Sequence, residues 1–213
     1  MRICETFASL QGESTHAGRK CFFIRLAGCN LDCSYCDTGY ARNSEVGTER
    51  SVAELLEAFA ASRLDLVEIT GGEPLCSPET PALCRALLDA GAEVLMETNG
   101  SLSIADVPCE VRKILDCKLP DSGMAEHNCY GNYALLQKHD EVKFVVSSRR
   151  DFDFACDVVE RYSLRQRTPH LIVSPVWGKV GFEELSSWVM ETHLPLRMQL
   201  QMHKIIWGDR RGV

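Results

Sequence analysis

Short apolar runs alternate along the chain with longer segments in which apolar residues recur every three to four positions. Continuous runs at Cys21–Leu26 and Leu64–Thr70 are typical of buried strands. Similar runs predict further strands at Ala92–Glu97, Arg112–Cys117, Val142–Val146, Leu171–Val173 and Leu196–Leu200. Glycine, proline or polar residues follow most of these runs, so each predicted strand leads into a loop.

Helical periodicity fills several gaps between these strands. Ser51 and Glu54 have the spacing of a capping box, and apolar residues follow at helical intervals. A second helix is expected over Ser77–Gly91, and two more over Asp151–Tyr162 and Phe182–Thr192. Strands that alternate with helices predict an α/β fold with a parallel sheet.

The composition is that of a folded globular protein. The 213 residues are 45% hydrophobic and 25% charged, and they contain no low-complexity tract or repeat. Residues 1–213 are therefore expected to form one domain. The net charge of −7 argues against a protein that mainly binds nucleic acid, because such proteins need an excess of Lys and Arg. Small-molecule chemistry is the better expectation.

The N-terminal segment Met1–Leu10 has no apolar run that would serve as a signal peptide or a membrane span. We therefore expect a cytoplasmic protein without a membrane partner. In that compartment the eleven cysteines are predicted to be reduced thiols that bind metal or are buried, rather than disulfides.

Polar and glycine-rich clusters recur at the carboxyl ends of the predicted strands. Parallel barrels place their active sites at this end, so ligands are expected there. The clusters are the cysteine loop, Thr70–Pro74, Thr98–Gly100, Lys118, Ser147, Ser174-Pro175 and His203-Lys204.

Three cysteines fall in the loop after the first predicted strand. Cys29, Cys33 and Cys36 bring three soft ligands close together, which suits an iron-sulfur cluster or zinc. A closed zinc site or an electron-transfer cluster needs four ligands, and no fourth lies nearby in the sequence. Three ligands on a four-iron cluster leave one iron open to another molecule. The alternatives are three unrelated loop cysteines, or zinc completed by Cys76 or His127.

The cysteine loop resembles the CxxxCxxC signature of the radical S-adenosylmethionine superfamily, including the aromatic Tyr35 before the last cysteine. The segment Thr70–Pro74, with the sequence TGGEP, is similar to the GGEP loop of that superfamily. The resemblance implies a partial (β/α) barrel of about six parallel strands. It also implies a [4Fe-4S] cluster on the three cysteines and S-adenosylmethionine bound to the open iron.

Further segments resemble one family of that superfamily, the 7-carboxy-7-deazaguanine synthases. They are Ser9–Glu13, with the sequence SLQGE, then Arg25, and Thr38 directly after Cys36-Asp37. In that family the Gln-Gly-Glu segment and the Arg bind a carboxylated pterin, and the Thr binds Mg²⁺. Taken singly, Arg25 can form a surface ion pair, Thr38 can be a turn residue, and Gly12 can simply permit a turn.

The resemblance assigns the other site residues by position. Substrate binding is expected from Leu10, Gln11, Gly12, Glu13, Arg25, Thr70, His203 and the carboxylate of Val213. Contacts to S-adenosylmethionine are expected from Tyr35, Cys36, Asp37, Gly72, Glu73, Asn99, Asp116, Cys117, Lys118, Ser147 and Ser174. Some of these residues can equally be polar groups at strand ends, and His203 can be a hydrogen-bonded histidine on a core strand. Ser14 and Leu119–Gly123 depart from the family pattern.

The implied reaction converts 6-carboxy-5,6,7,8-tetrahydropterin to 7-carboxy-7-deazaguanine with loss of ammonia, a step toward queuosine and related 7-deazapurines. The resemblance also implies a flavodoxin-like electron donor and a homodimer. One alternative is a glycyl-radical activating enzyme, which shares the cysteine spacing, although Gln11–Glu13 and Thr38 argue against it. Another is a zinc-binding or electron-transfer protein without turnover.

Overall fold

A computed structural model describes all 213 residues of the chain. Nine strands form one sheet: β1 (Arg2–Leu10), β2 (Lys20–Leu26), β3 (Thr48–Glu49), β4 (Leu66–Gly71), β5 (Glu93–Thr98), β6 (Arg112–Asp116), β7 (Glu141–Val146), β8 (His170–Pro175) and β9 (Leu196–Met198). The α-helices are α1 (Val52–Ser62), α2 (Thr80–Asp89), α3 (Arg149–Arg161), α4 (Leu164–Arg167), α5 (Phe182–Glu191) and α6 (Met202–Trp207). No helix has the length and apolar character needed to cross a membrane.

The strand order in the sheet is β3-β1-β2-β4-β5-β6-β7-β8-β9. Strand β2 and strands β4 to β9 run parallel to one another, whereas β1 and β3 are antiparallel additions at one edge. Strands β3 and β9 are the two edges and do not pair with each other, so the sheet is not closed. The predicted α/β fold with a partial barrel is confirmed, and the parallel strands number seven.

The helices follow the signals in the sequence, with small shifts at their ends. The predicted capping box forms at α1: the Ser51 hydroxyl accepts from the Glu54 amide, and the Glu54 carboxylate accepts from the Ser51 amide at 2.7 Å. Helix α2 begins at Thr80 rather than at Ser77, because Pro74–Cys76 first forms a 3-10 turn. The hydroxyl of Thr80 donates to the carbonyl of Pro74 and ties the two segments together.

Four elements were not predicted from the sequence: the strands β1 and β3 and the short helices α4 and α6. Strand β1 has only scattered apolar residues, and it is held by its pairing with β2, where the rings of Phe7 and Phe23 stack with centroids 4.9 Å apart. Helix α6 contains His203, for which one interpretation was a histidine on a core strand. That interpretation is wrong, because β9 ends at Met198 and the chain turns into α6 at Gln201.

Side chains alternate between the two faces of the sheet, and this alternation places the site. One face packs against the helices through a large apolar core that includes Leu55, Leu87 and Phe144. The opposite face holds a smaller apolar cluster of Cys21, Phe23, Leu66, Leu95 and Ile114. Residues two positions further along a strand share its face, so carboxyl-bearing residues lie next to this cluster, toward the carboxyl ends of the strands. They are Glu68, Glu97 and Asp116.

The segment 11–19 between β1 and β2 reaches the first residues of two parallel strands. The Thr15 hydroxyl donates to Glu141 at 2.5 Å, and the His16 imidazole lies 2.7 Å from the carboxylate of Glu93. Because Glu93 and Glu141 begin β5 and β7, the segment covers the amino ends of these strands. The carboxyl ends are left for ligands.

Candidate active site

The three predicted cluster cysteines line a single small pocket just beyond β2. The pocket is lined by three thiol side chains, one ammonium group, one guanidinium group and several small groups, and it opens to solvent. Its lining residues are Cys29, Leu31, Cys33, Cys36, Thr38, Arg42, Gly72, Asn99 and Lys118. The structure therefore brings together residues that the sequence places up to 89 positions apart.

The shape of the cysteine loop depends on backbone contacts that need glycine. Gly28 adopts φ +102°, a left-handed conformation that favours glycine, and its amide donates to Ala41 at 2.8 Å. A Cβ at Gly72 would lie 2.1 Å from the carbonyl oxygen of Gly28. The amide of Glu73 donates to the same carbonyl at 2.8 Å. The cysteine loop and the TGGEP loop are thus in direct backbone contact.

The donors in this pocket fit an iron-sulfur cluster with one open iron. Burial raises the pKa of Cys33 and Cys36, and the ammonium group of Lys118 acts against that rise. Metal binding would therefore displace protons from the thiols. The two residues proposed as a fourth zinc ligand do not line the pocket: Cys76 contacts Asn30 at 3.7 Å, and His127 lies beside Glu126 at 3.8 Å.

Glu73 is enclosed by the protein although it was predicted to contact S-adenosylmethionine. Its carboxylate accepts hydrogen bonds from the Thr98 hydroxyl at 2.8 Å, the Asn99 amide at 2.6 Å and the Leu75 amide at 2.9 Å. The Asn99 side chain in turn contacts the Cys29 sulfur at 3.7 Å. Glu73 therefore fixes the ends of β4 and β5 beside the cysteine pocket.

Of the other residues predicted to contact S-adenosylmethionine, several lie at the cysteine pocket or on the same face of the sheet. Asp116 and Lys118 form an ion pair at 2.8 Å, with Lys118 lining the pocket, and Tyr35 donates to the carbonyl of Val145 at 3.1 Å. The hydroxyl of Ser174 is buried on the same face of the sheet and has no hydrogen-bond partner within the protein.

Two predicted residues direct their side chains elsewhere. The Cys117 thiol is buried in the core on the helix side of the sheet. The Ser147 hydroxyl lies 2.9 Å from Asp151 and 3.1 Å from Asp121, at the amino end of α3. Cys117 directly follows Asp116, the last residue of β6, and its side chain lies on the opposite face of the sheet from that of Asp116.

Arg25 is half-buried beside the carboxylate of Glu5 and the aromatic rings of Phe7 and Tyr40. Its Nε donates to Glu5 at 2.9 Å, and the Tyr40 hydroxyl donates to the same carboxylate oxygen at 2.7 Å. The guanidinium carbon lies 5.8 Å from the centre of the Phe7 ring. No protein group accepts from the two terminal nitrogens, so they form a fork that suits a carboxylate. Thr70 lies directly opposite Arg25 in the pairing of β2 with β4.

The Leu10–Glu13 segment turns inward at the end of β1. Both polar atoms of the Gln11 side chain have partners within the protein. The amide nitrogen donates to Glu68, and the amide oxygen accepts from the backbone amide of Glu13 at 2.9 Å. Gly12 lies against α6, where a Cβ would meet the imidazole of His203 at 2.5 Å. Leu10 pairs with Lys20 at the strand end and is partly buried.

The residue Asp37 links the cysteine loop to this segment. The Thr38 hydroxyl donates to the Asp37 carboxylate at 2.8 Å. One side-chain ligand atom each from Asp37, Glu13 and His203 lies within 4.8 Å of the others. The structure thus brings the predicted Mg²⁺ residue and the predicted substrate residues into one neighbourhood.

The C-terminal residues approach the Arg25 group. The guanidinium carbon of Arg211 lies 3.9 Å from the centre of the Tyr40 ring. A Cβ at Gly212 would lie 4.0 Å from Glu5, and Val213 is partly buried. The tail therefore reaches the neighbourhood in which Val213 was predicted to act.

Sequence reasoning missed the charged groups on the inner faces of the strands. Lys143 donates to Glu13 at 2.7 Å and also to Glu97, and Glu68 accepts from Gln11. Burial raises the pKa of Glu68 well above its usual value, with nearby Glu97 acting in the same direction. The signal in the sequence that could have revealed these residues is a charged residue flanked by apolar ones within a strand: Glu68 in LVEIT and Lys143 in EVKFVV.

The comparisons with known proteins agree with this geometry. A family model described as Radical SAM superfamily matches residues 23–118, which include the cysteine pocket and the TGGEP loop. The fold and the three-cysteine pocket thus define a radical S-adenosylmethionine protein, a class that implies a [4Fe-4S] cluster and S-adenosylmethionine as cofactors.

Curated relatives then narrow the class. A 7-carboxy-7-deazaguanine synthase from Chlorobaculum tepidum is 42% identical and covers 100% of this chain and 97% of its own length. One from Koribacter versatilis is 38% identical over the full length of both chains. The chain belongs to the 7-carboxy-7-deazaguanine synthase family. In fold it is similar to QueE from Escherichia coli, with a TM-score of 0.71, 22% identity, and coverage of 95% of this chain and 94% of that one.

Proposed function

We propose that the protein converts 6-carboxy-5,6,7,8-tetrahydropterin to 7-carboxy-7-deazaguanine with loss of ammonia, within 7-deazapurine biosynthesis. The observation that carries this proposal is the full-length identity of 42% to a curated synthase. The three thiols in one pocket and the Arg25 fork beside it agree with that reaction. Neither a glycyl-radical activating enzyme nor a zinc protein is favoured by these relatives.

The cysteine pocket would hold the cluster through Cys29, Cys33 and Cys36. When bound, the cluster and S-adenosylmethionine supply the radical chemistry that removes a hydrogen atom from the pterin. The chain's own residues bind and orient the reactants. Asn99, Lys118 and the backbone of Gly72 line the same pocket and would contact S-adenosylmethionine.

Substrate recognition would depend on two residues of opposite charge, Arg25 and Glu13. The terminal nitrogens of Arg25 would hold the pterin carboxylate as a planar fork, because Glu5 occupies only its Nε. Glu13 would accept hydrogen bonds from the amino and ring N–H donors of the pterin. The Arg25 guanidinium and the Glu13 carboxylate thus complement two different ends of one substrate.

Magnesium would bind at Thr38, whose hydroxyl is a hard oxygen ligand at the edge of the cysteine pocket. Mg²⁺ keeps few protein ligands and takes other oxygens from substrate or water. The ion would help to orient substrate oxygens during the ring contraction. Removal of Mg²⁺ and the Thr38→Ala substitution should therefore lower the rate in the same step, and their effects should not add.

We also propose that residues 1–213 act as one cytoplasmic domain, that the protein is a homodimer, and that a flavodoxin-like protein donates electrons. The support is the family membership and the general frequency of two-fold oligomers. Light scattering on the cluster-loaded protein tests the dimer: a monomeric mass would contradict it. Turnover with reduced flavodoxin in place of dithionite tests the electron donor.

The proposed reaction is tested by anaerobic incubation with dithionite, S-adenosylmethionine, Mg²⁺ and 6-carboxytetrahydropterin. Mass spectrometry should detect 7-carboxy-7-deazaguanine with the wild-type protein and none with Cys33→Ala. If S-adenosylmethionine is cleaved to 5'-deoxyadenosine without the deazaguanine product, the substrate assignment is wrong. If a fully loaded protein gives neither compound, the enzyme assignment is wrong.

A further inference from the structure

The side chain of Lys143 lies in the interior of the sheet behind two carboxylates. It comes from the middle of β7, and its Nζ donates to Glu13 at 2.7 Å and to Glu97. Only 5% of the Lys143 side chain is exposed, compared with 13% for Glu13 and 27% for Glu97. The two carboxylates are therefore more accessible to a ligand than the ammonium group that pairs with them.

Glu13 is held from two further directions. The side-chain nitrogen of Gln201 donates to its second oxygen at 2.9 Å, and Nδ1 of His203 lies 3.9 Å from that oxygen. Burial alone would raise the pKa of Glu13, but the charges of Lys143 and His203, together with the hydrogen bonds from Lys143 and Gln201, lower the pKa to about 2. The Glu13 carboxylate is thus ionised and fixed in orientation.

Lys143 differs from Lys113, the other buried strand lysine, in the partners of its ammonium group, because Lys113 pairs with the fully buried Asp140. Moving an ammonium group into a buried strand costs several kcal/mol of hydration, and buried ion pairs often add nothing to stability compared with an apolar replacement. The direct partners of this ammonium group are the two carboxylates that face the interior. Its charge favours the ionised form of both, but only for Glu13 is the pKa lowered, so the role of Lys143 is tied to Glu13.

We propose that Lys143 is a positioning residue for substrate binding, which holds the Glu13 carboxylate in place to accept the N–H donors of the pterin's aminopyrimidinone ring. This inference rests on the proposed function, because the ring belongs to the proposed substrate. Lys143 acts through Glu13 and does not touch the substrate.

The test compares Lys143→Met, Glu13→Gln and the double variant, with Lys113→Met as a matched control. Lys113 is also a buried strand lysine in an ion pair, 3.3 Å from Asp140, and it does not line the pocket. Binding of 6-carboxypterin, an oxidised substrate analogue, is measured by fluorescence titration, and KM and kcat are measured anaerobically. Iron content and circular dichroism report whether each variant is folded and loaded.

Lys143→Met should weaken pterin binding and raise KM by about ten- to a hundred-fold, with a smaller change in kcat, as expected for a lost charge-assisted contact. In the Glu13→Gln background the same change should have less than about a two-fold effect. Lys143→Arg should recover part of the affinity. Lys113→Met should lower stability and leave the affinity unchanged.

Equal pterin affinity in wild type, Lys143→Met and Lys113→Met would overturn the proposal, as would independent effects in the double variant. If Lys143→Met does not fold, Glu13→Gln decides, because unchanged affinity in that variant would also overturn the proposal. Wild-type turnover separates the two failures. Product formation with equal affinities refutes only the role of Lys143, whereas no wild-type product refutes the proposed function itself.

Discussion

Gly72 is the point where the TGGEP loop approaches the cysteine loop most closely, and Gly72→Ala tests that contact. A Cβ there would lie 2.1 Å from the carbonyl oxygen of Gly28, 2.5 Å from its carbonyl carbon and 3.0 Å from Cβ of Cys29. These neighbours are mainly backbone, which cannot move aside as a flexible side chain can. The substitution must therefore push the two loops apart.

The expected cost follows from the bonds that such a displacement breaks. The Gly72 amide donates to Leu26 at 3.1 Å, and the Glu73 amide donates to Gly28 at 2.8 Å. Each bond contributes about 1 kcal/mol, and overpacking adds roughly 1–3 kcal/mol. We expect Gly72→Ala to lower the free energy of unfolding by about 3–5 kcal/mol.

Urea unfolding of the cluster-free protein measures this change, with Gly39→Ala as the control. A Cβ at Gly39 meets nothing within 4 Å, so the control should stay within about 0.5 kcal/mol of wild type. Iron content after reconstitution should fall for Gly72→Ala and stay normal for Gly39→Ala. If Gly72→Ala were as stable as Gly39→Ala and bound the same iron, the two loops would not be in contact.

Three further predictions concern single side chains. Cys36→Ser should lose most of the bound iron, whereas Cys76→Ser, outside the pocket, should keep it in an iron and sulfide assay. Arg25→Gln should raise KM for the carboxylated pterin roughly 30-fold or more in anaerobic kinetics, and an unchanged KM would exclude a carboxylate contact. Burial raises the pKa of Glu68 above its ordinary 4.5, so its contribution to stability is present below that pH and is lost as pH rises through the folded value. Above about pH 4.5, the free energy of unfolding of Glu68→Gln should therefore rise relative to that of wild type by up to about 1.4 kcal/mol per pH unit. Urea unfolding at several pH values measures this, and a difference between the two proteins that does not change with pH would contradict it.

Most parallel strands were predictable because they are short apolar runs buried on both faces, although the edge strand β9 is only partly buried. The start of β1 carries Arg2, Cys4 and Thr6, which give no apolar pattern, so its place at the sheet edge depends on the partner strand. Helix α6 has only six residues, and its position depends on the contact of Met202 with Gly12, which no local pattern reveals. Short and edge elements are decided by tertiary contacts rather than by local sequence.

The candidate site divides in a similar way. The cysteine spacing and the TGGEP segment are local in sequence, so they were found from sequence alone. The contact of Lys143 with Glu13 spans 130 positions, and a lone charge in an apolar strand does not reveal its partner. Cys117 was expected at the site, but strand alternation directs its side chain into the core.

The most direct test of the proposed reaction is its stoichiometry. In one anaerobic assay with the cluster-loaded protein, 7-carboxy-7-deazaguanine and ammonia are quantified together with the 6-carboxytetrahydropterin consumed. The proposed ring contraction predicts equal amounts of all three, since each substrate molecule loses one nitrogen. Consumption of the pterin without ammonia, or ammonia without the deazaguanine product, would contradict it.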